Sequence, residues 1–199
     1  MQSLEHDMKT TTHWTGTLAL LASLMAAPLS ADEHTHAAGH EQHGAHEHGV
    51  ATLSLATGEA GLEIMLESPA ANLLGFEHTA TSAADKQKLA DVKLKLEAGA
   101  DLFAINAEAG CALKDAEIVS ALLEDEGQPS NDTHAEAETH NDMDVTWAFV
   151  CTQPAELKEV TVKLFSAFPD GVQTIRAEWV TDKGASAQEL TQDDTLQLN

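Results

Sequence analysis

Six histidines, His34, His36, His40, His43, His46 and His48, fall within fifteen residues, separated by small and polar side chains. Near neutral pH an imidazole offers a free nitrogen lone pair, which suits zinc, copper or nickel far better than magnesium or calcium. The pairs His34/His36 and His46/His48 are two residues apart, and His40, His43 and His46 are three apart. At such spacings neighbouring residues supply two ligands to one tetrahedral ion with little chain strain. Because the sets overlap, the stretch predicts heterogeneous, exchanging coordination, which suits capture and handover better than a locked structural site. The competing reading is a polar spacer or an engineered tag.

Two further groups carry ligand chemistry. Glu77 and His78 adjoin each other at the edge of the predicted folded domain, where the His-rich stretch or a later loop would complete a metal shell. Farther along, His134 and His140 sit among Glu136, Glu138, Asp142 and Asp144, a mixed nitrogen and oxygen set able to hold zinc weakly. Its spacing lacks the central Gly and closing Glu of a calcium hand. A solvated charge run is the alternative for that segment. The sequence contains no Gly-rich phosphate loop, no His-Glu-x-x-His helix and no nucleophile elbow, so no enzymatic activity is expected.

The elements that must position these residues begin after an export signal. Leu18–Ala27 is an apolar run too short to span a bilayer, with Lys9 before it and Ser30-Ala31 after it, and residues 1–31 are expected to be a cleaved signal peptide. Glu5 and Asp7 fit that role poorly, which makes Met8 an alternative start. Removal leaves 168 residues with 31 acidic and 9 basic side chains, a formal charge of −22. That surplus disfavours nucleic acid and anionic lipid as partners and concentrates cations near the surface. No later stretch is apolar enough to insert in a membrane. The two cysteines, Cys111 and Cys151, read as one disulfide in an exported chain, with a pair of zinc-binding thiolates as the rival.

Residues 32–49 show no apolar periodicity and contain Gly39, Gly44 and Gly49, so they read as a disordered tail. Alternation at Val50–Leu55 and Leu62–Glu67 about a Gly58–Gly61 turn predicts a hairpin. A short helical turn closed by Gly75 follows Pro69, and then a helix at about Ser82–Ala98, capped by Ser82 with Leu89, Val92 and Leu96 inward. Residues 100–109 suggest a turn or short helix, and Cys111–Leu123 a strand. The polar segment from about 124 to 144 reads as a disordered insert, and strands are expected at 145–150, 159–164, 174–180, 187–190 and 195–198. Trp147, Trp179, Phe149, Phe165 and Phe168 are assigned to the core. The domain at 50–199 is thus expected to be α+β, mainly antiparallel sheet and sandwich-like, with one or two helices.

The blocks His48-Gly49-Val50-Ala51, Leu62-Glu63-Ile64, the long Glu67-Ser68-Pro69-Ala70-Ala71-Asn72-Leu73-Leu74-Gly75-Phe76-Glu77-His78, Gly110-Cys111, the His and acidic insert, Cys151, and Phe165–Pro169 together resemble the ZrgA-type family of bacterial periplasmic zinc-uptake proteins. The resemblance spans nearly the whole mature chain and implies a periplasmic zinc-binding component working with a membrane zinc import complex. A periplasmic copper or nickel buffer and a structural or adhesive module with a His-rich spacer are the competing functions.

Overall fold

The computed structural model describes residues 47–124 and 141–198. The expected signal segment, five of the six clustered histidines (His34 to His46), and His134 and His140 of the insert lie outside the described residues. The described residues form nine strands in two sheets. β1 (Val50–Gly58) and β2 (Gly61–Pro69) form the expected hairpin, which β5 (Asp142–Cys151) and β4 (Cys111–Val119) extend on one side. On the other side come β7 (Thr174–Thr181) and β8 (Gly184–Leu190), giving the six-stranded order β4-β5-β2-β1-β7-β8. A smaller sheet combines β3 (Phe103–Ile105), β6 (Glu159–Val162) and β9 (Asp194–Gln197).

One pairing departs from the expected antiparallel pattern: β1 and β7 run parallel, with Leu53 opposite Ala177. A parallel pair needs a long connection, and here every element between β2 and β7 lies within it.

The strands bury one face. Leu53, Ile64, Leu66, Val145, Trp147 and Ile175 are essentially inaccessible, and residues between them on the same strands point outward. The inner face is covered by the small sheet and by α2 (Ala83–Glu97), which contributes Leu89, Val92 and Leu96. Helix α2 starts where a capping residue allows it, since Ser82 accepts the Asp85 backbone N–H through its side chain. Helix and sheet are tied by the Trp147 indole, which donates to Leu96 O at 2.7 Å. Gly99 makes that approach sterically feasible, because a Cβ there would lie 2.3 Å from the indole Cδ1. Phe103 packs edge-on against Trp147 and Phe149, with centroids 4.9 and 6.5 Å apart. Trp147, Phe149, Phe168 and Trp179 are buried, and Phe165 packs half-buried against them.

Several boundaries move from their expected places. α1 (Ala70–Leu74) is the predicted helical turn, capped at Gly75. The 100–109 stretch resolves into α3 (Gly99–Leu102), β3 and a single 3-10 turn. β4 ends at Val119, because Ser120 turns the chain and α4 (Ala121–Glu124) takes up the residues expected to continue the strand. β5 starts at Asp142, three residues earlier than anticipated, since Asp142 and Met143 pair with Pro69 and Ser68. β6 stops at Val162, and α5 (Leu164–Ala167) begins where the Asp193 carboxylate accepts the Phe165 and Ser166 N–H groups. Cys111 and Cys151 face each other across β4 and β5 and form a disulfide, which removes the zinc-thiolate alternative.

Candidate metal centre

The chain enters the domain at Glu47 and His48. Val50 N donates to Glu47 O at 3.0 Å, so His48 and Gly49 lie in a turn leading into β1 rather than in the tail with which the sequence groups them. Gly49 has φ of +86°, a conformation that side chains strongly disfavour. Its carbonyl accepts from both Gln173 N (2.8 Å) and Thr174 N (2.9 Å), which ties the turn to β7.

What fixes this turn is Asn72, on α1. Its Oδ1 accepts Gly49 N at 2.7 Å, and its Nδ2 donates to Val50 O at 2.9 Å and to Ser68 Oγ at 3.1 Å. Ser68 and Asn72 are 2% and 3% exposed, so this is a buried amide with both donors and its acceptor engaged. The Ser68–Asn72 block that carries the strongest family resemblance therefore has a physical job: it orders the backbone immediately after His48, at Gly49 and Val50.

The same block leads, through the turn after Gly75, to Glu77. His48 Nε2 and Glu77 Oε1 are 3.0 Å apart, the imidazole 64% exposed and the carboxylate 18%. His78 points elsewhere. Its ring stacks on Phe76 with centroids 4.8 Å apart and planes 16° from parallel, and its Nδ1 donates to Thr79 O at 3.1 Å. A carbonyl only accepts, so Nδ1 carries the proton and Nε2 of the neutral ring keeps its lone pair.

The insert returns to this spot. Asn141 Nδ2 donates to Glu77 O, Asn141 O accepts Ala70 N at 2.8 Å, and Ser120 Oγ donates to Asp142 O at 2.7 Å. Beside them lies a groove of about 320 Å³ lined by Glu47, Glu67, Asp142, Asp144 and Arg176. Arg176 pairs with Glu47 at 3.2 Å.

Of the predicted ligands, the structure thus brings His48 and Glu77 into contact and places His78 next in sequence with a separate set of partners. His34, His36, His40, His43, His46, His134 and His140 lie outside the described residues. Among the described residues no three His, Cys, Asp or Glu side chains cluster closely enough to hold a metal ion. A pair is nonetheless a useful half-site. Zinc ligands about 2.0–2.2 Å from the ion in a tetrahedron stand roughly 3.3–3.6 Å from one another. The His48–Glu77 contact would open by only about 0.3–0.6 Å on that reckoning. Sequence reading missed the supports, Asn72 and Asn141; the long Ser-Pro-Ala-Ala-Asn block was the available signal for the first.

No described helix is long and apolar enough to cross a membrane. Comparison with curated proteins yields no match. A sequence model described as ZrgA family zinc uptake protein matches residues 45–197, a span that opens three residues before His48 and takes in every element above. The chain belongs to the ZrgA family of zinc uptake proteins.

Proposed function

We propose that the protein captures zinc in the periplasm, after export by the signal at residues 1–31, and assists its uptake by a membrane zinc import complex. The observation that carries this reading is the His48–Glu77 pair at the point where the His-rich segment joins the domain. Zinc is cargo here, gathered by His34 to His46 and passed along the chain to His48 and Glu77. His46 is two residues from His48, so transfer is intramolecular and the effective ligand concentration is high. His140 precedes Asn141 by one peptide bond, and Asn141 is bound to Glu77 O. His46 and His140 are therefore the nearest donors along the chain to complete a four-ligand shell, with His78 Nε2 and His134 as further donors. An acidic surface adds a general attraction for divalent cations.

We read the chain as a carrier and not an enzyme. Catalytic zinc needs three fixed ligands, an open position and a placed base, whereas cargo must leave again, and a two-residue station completed by donors from other segments releases its ion more readily.

The test is zinc titration with ion counting on the full mature chain carrying His34, His36, His40, His43 and His46 as Asn. The tail substitutions should remove most of the capacity and leave a residual site. His48→Ala or Glu77→Ala should then weaken that site at least about tenfold, with His78→Ala weaker in effect. Residual affinity unchanged by both His48→Ala and Glu77→Ala would reject the assignment.

A further inference from the structure

We propose that the outer face of the six-stranded sheet is a docking surface for a protein partner that presents an apolar patch bordered by Lys or Arg. The proposal goes beyond zinc binding and uses none of its ligands.

The register defines the face. One row across the sheet, from β4 to β8, runs Glu117, Thr146, Met65, Ser54, Glu178 and Ala187. The next runs Asp115, Ala148, Glu63, Ala56, Val180 and Ala185. Met65 is 38% exposed and Val180 52%, and Val119 and Val150, on outward positions of the flanking rows, are 55% and 45%. Four of the five exposed large apolar side chains among the described residues therefore share this face, Leu94 on α2 being the other. Between Met65 and Val180 the small side chains of Ser54, Ala56, Ala185 and Ala187 leave a shallow basin of about 530 Å³.

A solvated antiparallel face ordinarily alternates long polar side chains outward. This one is low and largely apolar at its centre. Six strands about 4.8 Å apart span roughly 24 Å, and strands of this length extend about as far. The resulting area approaches the roughly 800 Å² that each partner commonly contributes to a stable interface.

Charge selects the occupant. The two rows contain four carboxylates, Glu63, Asp115, Glu117 and Glu178, and no cation, and the flanking row through Val119 adds Asp144, Glu67 and Glu189 against Arg176, which pairs with Glu47. Glu178 is held by Ser54 Oγ at 3.0 Å, so one acid is fixed at the edge of the basin. A second copy laid on this face would set carboxylates against carboxylates, whereas a Lys- or Arg-rimmed patch is complementary, steering encounter and excluding like-charged surfaces.

The test is photo-cross-linking in living cells of the source organism, with p-benzoylphenylalanine in the full-length protein at position 65 or, as the control off this face, at position 94. The expected result is an adduct from position 65 and not 94, whose partner peptide lies beside Lys or Arg. Its yield should fall at least about tenfold when Glu63→Lys and Glu178→Lys are combined, while zinc stoichiometry and melting temperature hold. An adduct to a second copy of this chain, a yield indifferent to the charge reversals, or no more adduct at 65 than at 94 would each overturn the proposal. Because the variants leave His48 and Glu77 intact, failure here would leave the metal reading standing, and loss of that reading would not touch this one.

Discussion

The two ends of the six-stranded sheet are held together by different chemistry. At one end, β4 and β5 are stapled by the Cys111–Cys151 disulfide beside the tight Gly58–Gly61 turn. At the other, about 27 Å away along the nine residues of β2, no covalent link is present among the described residues. There the three buried polar side chains of the described structure, Ser68, Asn72 and Ser120, do the fastening. Asn72, with Ser68, holds residues 49 and 50 at the exit of the His-rich segment, and Ser120 holds Asp142 at the exit of the insert. The covalent staple stabilises a plain hairpin end. Directional hydrogen bonds, which specify position as well as stability, are concentrated where two His-bearing segments meet the domain.

The largest effect expected of any change that probes this contrast is at the stapled end. The loop closed by the disulfide spans 40 residues, for which the chain-entropy account gives about 4 kcal/mol of stabilisation. Replacing both cysteines by Ser should lower the melting temperature by roughly 8–16 °C in a domain of this size. Zinc stoichiometry, measured well below that temperature, should not change. A folded double-Ser protein that had lost zinc would show the two ends to be coupled, and the contrast would fail.

At the polar end the corresponding change is Asn72→Ala. It strands Gly49 N in a buried setting, at about 1–3 kcal/mol for a group left without a partner, and removes the donors to the part-buried Val50 O and to Ser68 Oγ, which keeps its bond to Pro69 O. Calorimetry should register that loss, and zinc titration of the tail-substituted protein should register a weaker His48–Glu77 station. Asn72→Asp keeps an acceptor for Gly49 N but loses both donors and sets a buried carboxylate against the Val50 carbonyl, and should cost at least as much as Ala. If stability dropped with zinc affinity untouched, Asn72 would be a packing residue only. Ser120→Ala, which loosens the exit of the insert two residues after His140, should cost about 1 kcal/mol and weaken that affinity less than Asn72→Ala does.

The stapled end was far more legible in the sequence than the polar one. Two cysteines in a chain expected to be exported, and alternation about Gly58–Gly61, are local signals that need no knowledge of the fold. The core face of β1, β2, β5 and β7 and the Ser82 cap of α2 were readable for the same reason. His48 looks like one more member of a His-rich tail because the group that orders the chain beside it, Asn72, is 23 residues beyond Gly49. Nothing in periodicity reveals a side-chain amide reaching that far. The parallel partnership of β1 with β7 was equally hidden, since alternation specifies a face and not a neighbour. β8 went half-unseen because Gly-Ala-Ser-Ala-Gln, an edge sequence with hardly any inward apolar residue, does not alternate. Its start is set by pairing with β7.

Acidification should separate the ends again. Zinc binds neutral imidazole, and a free His titrates near pH 6.5. Because protons compete with the metal for each imidazole, lowering the pH from about 7.5 to 5.5 should weaken binding, and more steeply for a station using two His than for one using a single His. The slope measured by zinc titration of the tail-substituted protein thus counts its imidazoles. The disulfide has no titrating group, and stability at its end should not follow that curve. A flat zinc profile across this range would assign the residual site to carboxylates.

The smallest effect expected is the most discriminating about how His48 is held. Arg176 pairs with Glu47 one residue before His48, but the two side chains are 60% and 66% exposed. Exposed pairs of this kind contribute about 0–1 kcal/mol and are screened by salt. Arg176→Ala should therefore shift the melting temperature by no more than roughly 1–4 °C. Zinc affinity should rise at most about twofold at low ionic strength, because a cation near the station has gone, and that gain should vanish at physiological salt, where the screening length is about 8 Å. The direction matters more than the size. A loss of affinity as large as that in Asn72→Ala would mean that the exposed strap orders His48, and the polar end would then owe its geometry to surface charge and not to a buried amide.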